Sequence, residues 1–197
     1  MRRFVVLCQT AHAVPDFSLE DLPGTSGRID VALRCIAAAL LVSHGLRGDV
    51  VVYLVLSGGG ERVVRIHGRE ASYLRPDERS TAGRIKAMLA TEPIGDGFEA
   101  SRQGMAVARG GLEVVMKDVG EAPVYLLDEH GVDIRTETPF DEDDPVFLVG
   151  DHLGIEPLVR EGLLARGARA ISVGPVSVHA DDAIVLVHNF LDRQSLG

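Results

Sequence analysis

Two glycine-punctuated turns near the C-terminus hold the residue types best placed to form a ligand site in this 197-residue chain. The first is Gly150-Asp151-His152-Leu153-Gly154, which directly follows the apolar run Val146-Phe147-Leu148-Val149. The second is Gly174-Pro175, which follows Arg169-Ala170-Ile171-Ser172-Val173. Continuous apolar runs rich in β-branched and aromatic residues read as strands buried on both faces. Two such strands, each ending in a glycine turn, make a backbone-lined pocket for a small ligand at the strand C-termini. Val124-Tyr125-Leu126-Leu127-Asp128 offers a third edge to it. His152 and His179 each follow one of the turns, but a hydrogen-bonded loop histidine is the commoner case. No metal-ligand spacing, triad spacing or Gly-x-Gly-x-x-Gly pattern occurs, and Ser57-Gly58-Gly59-Gly60-Glu61 lacks the Lys-Ser/Thr pair of a phosphate loop. The residues by themselves specify an α/β ligand-binding domain, with an enzyme preferred.

The rest of the chain must position that pocket. Phe4–Gln9 reads as a first strand, and 10–27 as a long loop that ends in Thr25 or Ser26 as a helix cap. Ile29, Ala32, Leu33, Ile36, Ala37, Leu40 and Leu41 then recur at helical spacing, with Arg28, Asp30 and Arg34 outside or at the edge of that face. Gly45 and Gly48 close the helix, and Val50–Leu56 is a second buried strand, so the β-α-β order implies a parallel pair. Arg62–His67 alternates charged and apolar residues, as an antiparallel strand in a small hairpin insertion would. Pro76–Ser80 opens a helix with Ile85, Met88 and Leu89 inward; a short helix is expected around Arg102–Ala108 and a strand at Leu112–Met116. Asp128-Glu129-His130-Gly131 reads as a turn and Asp141–Asp144 as a solvated loop. Ile155, Leu158, Val159 and Leu163 suggest a helix after the first glycine turn, and Ala183, Ile184, Val187 and Leu191 one face of a last helix. The expected fold class is α/β, a mostly parallel sheet flanked by helices, with residues 1–197 forming one domain.

Composition narrows the classes. A hydrophobic content of 46% excludes a disordered chain, and no apolar run reaches the roughly 18 residues that span a bilayer. Met1-Arg2-Arg3 before a short apolar segment lacks the length and cleavage site of a signal peptide, so the expected compartment is the cytoplasm. Cys8 and Cys35 sit among apolar residues and read as buried free thiols. The net charge of −9 is asymmetric, +3 over residues 1–90 and −12 over 91–197, and all basic residues but Lys86 and Lys117 are arginine. Arginine grips phosphate through a planar fork, so the first half is the candidate nucleic-acid face, while the acidic excess opposes indiscriminate nucleic-acid binding.

Phe147-Leu148-Val149-Gly150-Asp151-His152, Ile171-Ser172-Val173-Gly174-Pro175-Val176-Ser177 and the late helix resemble the cofactor region of the SPOUT methyltransferases. More closely, the chain resembles the archaeal tRNA pseudouridine N1-methyltransferase family. The likeness extends through Gly27–Cys35, Pro76–Ser80 and Val124–Gly131 to essentially the whole chain. It implies a deep trefoil knot near the C-terminus, a homodimer built on the knot, and S-adenosylmethionine held by the knotted loops. Under it, Leu127, Leu148, Gly150, Asp151, Gly154, Ser172, Val173, Gly174, Ser177 and Val178 hold the cofactor. Glycine at 150, 154 and 174 would allow close backbone approach. The family often has a cysteine before the isoleucine of the last helix; Ala183 stands there, which excludes a thiol role and leaves a backbone or apolar contact.

The implied reaction is methyl transfer to N1 of pseudouridine in the T-arm of tRNA, with neither membrane, metal nor DNA involved. The N1–H must lose a proton to a carboxylate or an ordered water. Asp30 is the first candidate for that part, with Arg28 and Arg34 gripping phosphates or lowering its pKa, and Asp151 is the second. Arg62, Arg65 and Arg69 could extend an RNA track, although a solvated face explains them as well. Two other readings compete: the same chemistry on small-subunit ribosomal RNA, and a cofactor-binding RNA chaperone without turnover.

Overall fold

The computed structural model of the chain describes residues 1–72, 74–136 and 144–195. In chain order the first half comprises β1 (Arg2–His12), α1 (Leu22–Thr25), α2 (Ile29–Leu40), the short pair β2 (Leu41–Val42) and β3 (Gly45–Leu46), β4 (Val50–Gly58), β5 (Arg62–His67) and α3 (Glu78–Leu89). The second half comprises β6 (Glu99–Arg102), β7 (Met105–Arg109), α4 (Leu112–Val119), β8 (Val124–Asp133), β9 (Val146–Gly150), α5 (Pro157–Ala165), β10 (Arg169–Ser172) and α6 (Ala180–Gln194).

Eight strands form one sheet in the order β10-β8-β9-β1-β4-β5-β7-β6. The five strands from β10 to β4 are mutually parallel. The remaining strands add antiparallel pairings, β4 with β5, β5 with β7 and β6 with β7. Val50–Leu56 therefore pairs in parallel with β1 as its sequence implies, and Arg62–His67 is the antiparallel strand beside it. Central strands buried on both faces divide their side chains between two cores. Phe4, Val6, Phe147 and Val149 pack toward α2 and α6, whereas Val5, Leu7, Val146 and Leu148 pack with Val115 of α4 and Leu163 of α5.

The structure differs from several of these expectations. β1 runs on to His12, and the following loop contains α1. Helix α2 stops at Leu40 and a small β2–β3 hairpin, rather than glycine, turns the chain. Ser26 is not the formal cap; Arg28 is, in the left-handed region at φ +71°. Ser26 Oγ nevertheless accepts from the Ile29 amide at 3.0 Å, satisfying one of the free amides of the first turn. Asp30, expected outside or at the edge of the apolar face, is buried. The segment 102–108 is not helical: Gly104, at φ +69°, turns β6 into β7. Leu112–Met116 is helical because Val115 and Val119, four residues apart, both reach the core, and that packing outweighs the strand preference of valine. Asp128–Gly131 lies within the range of β8, but its pairing with β10 jumps from Leu126 to Val132 and the Asp128 carboxylate accepts the His130 amide at 2.9 Å, so the expected turn is present as a bulge. Asp141–Asp143 of the acidic run lies outside the described residues. Cys8 and Cys35 are buried free thiols, and burial raises both, Cys35 to about 12.

α6 returns across α2, and His188 joins the two helices. Its Nε2 donates to the Ala39 carbonyl at 3.0 Å, which leaves Nδ1 to accept from the Arg2 guanidinium at 3.0 Å. Burial, then the nearby Arg47 and Arg2 charges, lowers His188 to about 4. The unfolded chain therefore binds the proton more readily between pH 6.5 and about 4, and stability rises with pH through that window. Wild-type protein is expected to lose roughly 3 kcal/mol on acidification from neutrality to pH 4 through this group. Urea unfolding across that range should give a flatter pH dependence for His188→Gln, and identical slopes for the two proteins would remove His188 as the cause.

Candidate active site

A cleft of about 490 Å³ opens at the C-terminal ends of β9 and β10 and beside residues 127–129 in the middle of β8, within the usual range for a small-molecule site. Leu127, Val149, Ile155 and Val173 give it apolar walls. The segments 150–154 and 172–178 bring backbone to its surface, and Val31 and Arg34 of α2 close one side together with Asp181 and Ala183 of α6.

The 150–154 turn is fixed from beneath. The Asp151 amide donates to the Leu7 carbonyl at 3.0 Å, continuing the ladder between β9 and β1. Its carboxylate, whose side chain is 3% exposed, accepts the Gln9 amide at 2.8 Å and the Leu153 amide at 2.9 Å. Gln9 Nε2 also donates to the Gly154 carbonyl at 2.8 Å. A β-carbon on Gly150 would lie 2.2 Å from the Gly154 carbonyl carbon, so only glycine fits. Gly154 and Gly174 differ from expectation: a β-carbon at either meets nothing within 4 Å, and Gly154 is glycine for its φ of +79°. In the second loop Ser172 Oγ donates to the Gly174 carbonyl at 2.6 Å, folding the chain back after β10.

Of the expected cofactor residues, Leu127, Gly150, Asp151, Gly154, Ser172, Val173, Gly174, Ser177, Val178 and Ala183 all line the cleft. Leu148 does not. Side chains alternate along β9, so Leu148 enters the α4–α5 core and its neighbour Val149 faces the cleft. Among the residues proposed for proton removal and RNA grip, Arg34 and Asp151 line the cleft, whereas Arg28 and Asp30 do not. Arg28 Nε and Nη2 donate to the two carboxylate oxygens of Asp30 at 3.0 and 3.1 Å. Burial of Asp30 disfavours its charge, but the Arg28 hydrogen bond and charge, helped by Arg34, hold its carboxyl below the usual range. Arg62 and Arg65 are engaged by Glu92 and Asp118, so the hairpin presents paired rather than open guanidiniums.

Asp128 lies on the third edge the sequence offers, but its partners, and the place of Asp181, carry no sequence signal. Asp128 accepts the His130 amide at 2.9 Å and Arg160 Nε at 2.8 Å. Burial opposes its ionisation, and these two partners together with the Arg160 charge outweigh it, so its carboxyl lies below the usual range. Asp181 also lines the cleft, and its Oδ1 is buried without a hydrogen-bond partner among the described residues.

The architecture has a relative of known structure. The crystal structure of Archaeoglobus fulgidus Nep1 bound to S-adenosylhomocysteine superposes with a TM-score of 0.68, at 15% identity, over 100% of this chain and 99% of that one. Residues 1–196 match the family profile described as "Putative SAM-dependent RNA methyltransferase". The tRNA (pseudouridine(54)-N(1))-methyltransferase of Halobacterium salinarum is 44% identical over 194 residues, covering 98% of this chain and 96% of that protein. The enzyme of the same name from Methanosarcina acetivorans is 40% identical over 197 residues, covering 98% and 92%. The chain belongs to the archaeal tRNA pseudouridine N1-methyltransferase family. Membership makes it an S-adenosylmethionine-dependent RNA methyltransferase.

The cleft suits that cofactor. It has nucleoside dimensions, apolar walls for a base and backbone groups at two loops. Gly150→Ala must push the 151–154 turn outward, at about 1–3 kcal/mol of strain. We expect calorimetric S-adenosylmethionine affinity to fall more than about tenfold in this variant. Gly174→Ala, which has open space, should retain the parent melting temperature. Unchanged affinity in Gly150→Ala would place the cofactor elsewhere.

Proposed function

We propose that this methyltransferase acts on N1 of pseudouridine 54 in the T-arm of tRNA. The observation that carries the reading is a nucleoside-sized cleft, floored by fixed backbone turns, in a chain 44% identical over nearly its whole length to an enzyme of that name. S-adenosylmethionine supplies an electrophilic methyl group whose sulfonium leaves as a neutral thioether, so in-line placement is the main requirement. The protein's part is to fix that geometry. Leu127, Val149 and Val173 enclose the base, the Gly150–Gly154 and Ser172–Val178 segments meet polar edges with backbone groups, and Ala183 packs against the ligand.

Asp30 holds Arg28 at the mouth, and Arg28 meets an RNA phosphate with the part of its guanidinium not bonded to Asp30. Asp30 is thus a positioning residue rather than the proton acceptor first expected.

The remaining properties follow the same reading. Residues 1–197 act as one domain in the cytoplasm. The chain is threaded into a trefoil knot, supported by β9 lying between β8 and β1 while β10 returns to the far edge of β8. The β4–β5 hairpin is an insertion on the parallel sheet. Two copies pair around the cleft, supported by the exposed Leu153 (57%), Leu158 (76%) and Val176 (69%) beside it. Among the described residues, no helix is long and apolar enough to cross a membrane.

Purified protein, labelled S-adenosylmethionine and tRNA carrying either pseudouridine or uridine at position 54 test the assignment. Label is expected on the pseudouridine tRNA alone. Label on the uridine transcript would refute the base specificity, and no label on any RNA would leave a binding protein. Arg28→Ala should weaken tRNA binding and lower the slope of log affinity against log salt by about 1, with cofactor affinity unchanged. An unaltered slope would remove Arg28 from the RNA contact.

A further inference from the structure

S-adenosylmethionine carries two cationic groups, the sulfonium and the α-ammonium, and one anion, the α-carboxylate. The cleft suits the cations better than the anion. Asp128, Glu129, Asp151 and Asp181 line it against two arginines, Arg34 and Arg160. A carboxylate entering an acid-rich site is repelled except beside a guanidinium, so the two arginines mark where the anionic end can lie.

Those arginines are not equivalent. Arg34 stands on α2, one turn along from Asp30, and its charge helps to hold Asp30 ionised beside Arg28, the residue assigned to RNA. It also lines a separate small pocket with Arg75 and Glu78. Arg160 stands on α5, which packs on the opposite face of the sheet from α2. Its Nε donates to Asp128 Oδ2 at 2.8 Å, and its Nη2 lies 2.8 Å from the same oxygen. Asp128 Oδ1 is taken by the His130 amide. One carboxylate oxygen thus holds one edge of the guanidinium. The Nη1 edge has no acceptor among the described residues, and the Arg160 side chain is 39% exposed and lines the cleft. An ion pair serving only to tie α5 to β8 gains most by engaging both oxygens, as Arg28 does on Asp30. Arg160 is instead fixed in place with donors left over.

We propose that Arg160, oriented by Asp128, binds the α-carboxylate of S-adenosylmethionine and makes the cleft selective for nucleosides that keep the amino-acid tail. The inference rests on the cleft being the cofactor site, as proposed above. A charge-assisted pair between a planar fork and a carboxylate is among the stronger polar contacts available. Because Asp128 already anchors the arginine, little side-chain freedom is left to lose when the tail docks. S-adenosylhomocysteine has the same tail, so the contact holds the cofactor equally before and after methyl transfer. 5′-Methylthioadenosine lacks the tail, and decarboxylated S-adenosylmethionine lacks only the carboxylate.

Calorimetry on the full chain with these ligands tests the assignment. The parent protein should bind decarboxylated S-adenosylmethionine at least about tenfold more weakly than S-adenosylmethionine. Arg160→Gln, which removes the charge, should weaken S-adenosylmethionine and S-adenosylhomocysteine at least about tenfold, and leave decarboxylated S-adenosylmethionine and methylthioadenosine within about threefold of the parent. Arg160→Lys, which keeps the charge and loses the fork, should recover part of the lost affinity, and thermal melting confirms that both variants fold. Equal losses for all four ligands overturn the assignment, since Arg160 would then hold the adenosine end or the cleft wall. Unchanged S-adenosylmethionine affinity in Arg160→Gln overturns it as well, and weaker tRNA binding in that case makes Arg160 a phosphate contact. Equal parent affinities for S-adenosylmethionine and its decarboxylated form overturn it without any variant. If Gly150→Ala loses the cofactor and Arg160→Gln does not, the cleft stands and this inference falls; if neither loses it, both fall.

Discussion

The carboxylate of Asp151 ties the end of β1 to the turn after β9, and the cleft depends on that tie. A nearly inaccessible charge is tolerable there because two backbone amides, from Gln9 and Leu153, point into its two oxygens. The Asp151 amide and the Gln9 side chain complete the clamp on the Leu7 and Gly154 carbonyls. Together these contacts set a turn that would be pliable on its own into one position relative to the central strand. Gly150 lets the turn fold back against Gly154 at a distance no side chain permits. A cofactor pocket lined by backbone needs such fixation, because backbone groups find a ligand only if they are already aimed.

Several carboxylates around the cleft are already committed within the chain. Asp30 is bonded through both oxygens to Arg28, and Asp128 to Arg160 and the His130 amide. That commitment reassigns Asp30, whose carboxylate is held by Arg28 in this conformation.

The parallel core was legible in the sequence because buried strands such as Val146–Val149 and Val50–Leu56 announce themselves as apolar runs, and the intervening helix by its spacing. The glycine turns marked the cleft for the same reason: glycine at 150 answers a contact that local sequence reflects. Leu148 was misplaced because a strand buried on both faces offers no alternation to say which neighbour faces the ligand; only the sheet's two core layers decide it. The β6–β7 and α4 assignments reversed because four or five apolar residues fit either period, and packing of Val115 and Val119 settles the choice. Arg160 was invisible in a different sense. Its significance lies in its contact with Asp128, far away in the chain, and no periodicity encodes that.

Amide hydrogen exchange with and without S-adenosylmethionine examines the fixed-turn account most directly. Protection on cofactor addition should concentrate at Leu127–Glu129, Gly150–Ile155 and Ser172–Val178, with β5, β6 and β7 unchanged. Protection centred on the antiparallel strands, or none at the two glycine turns, would contradict it.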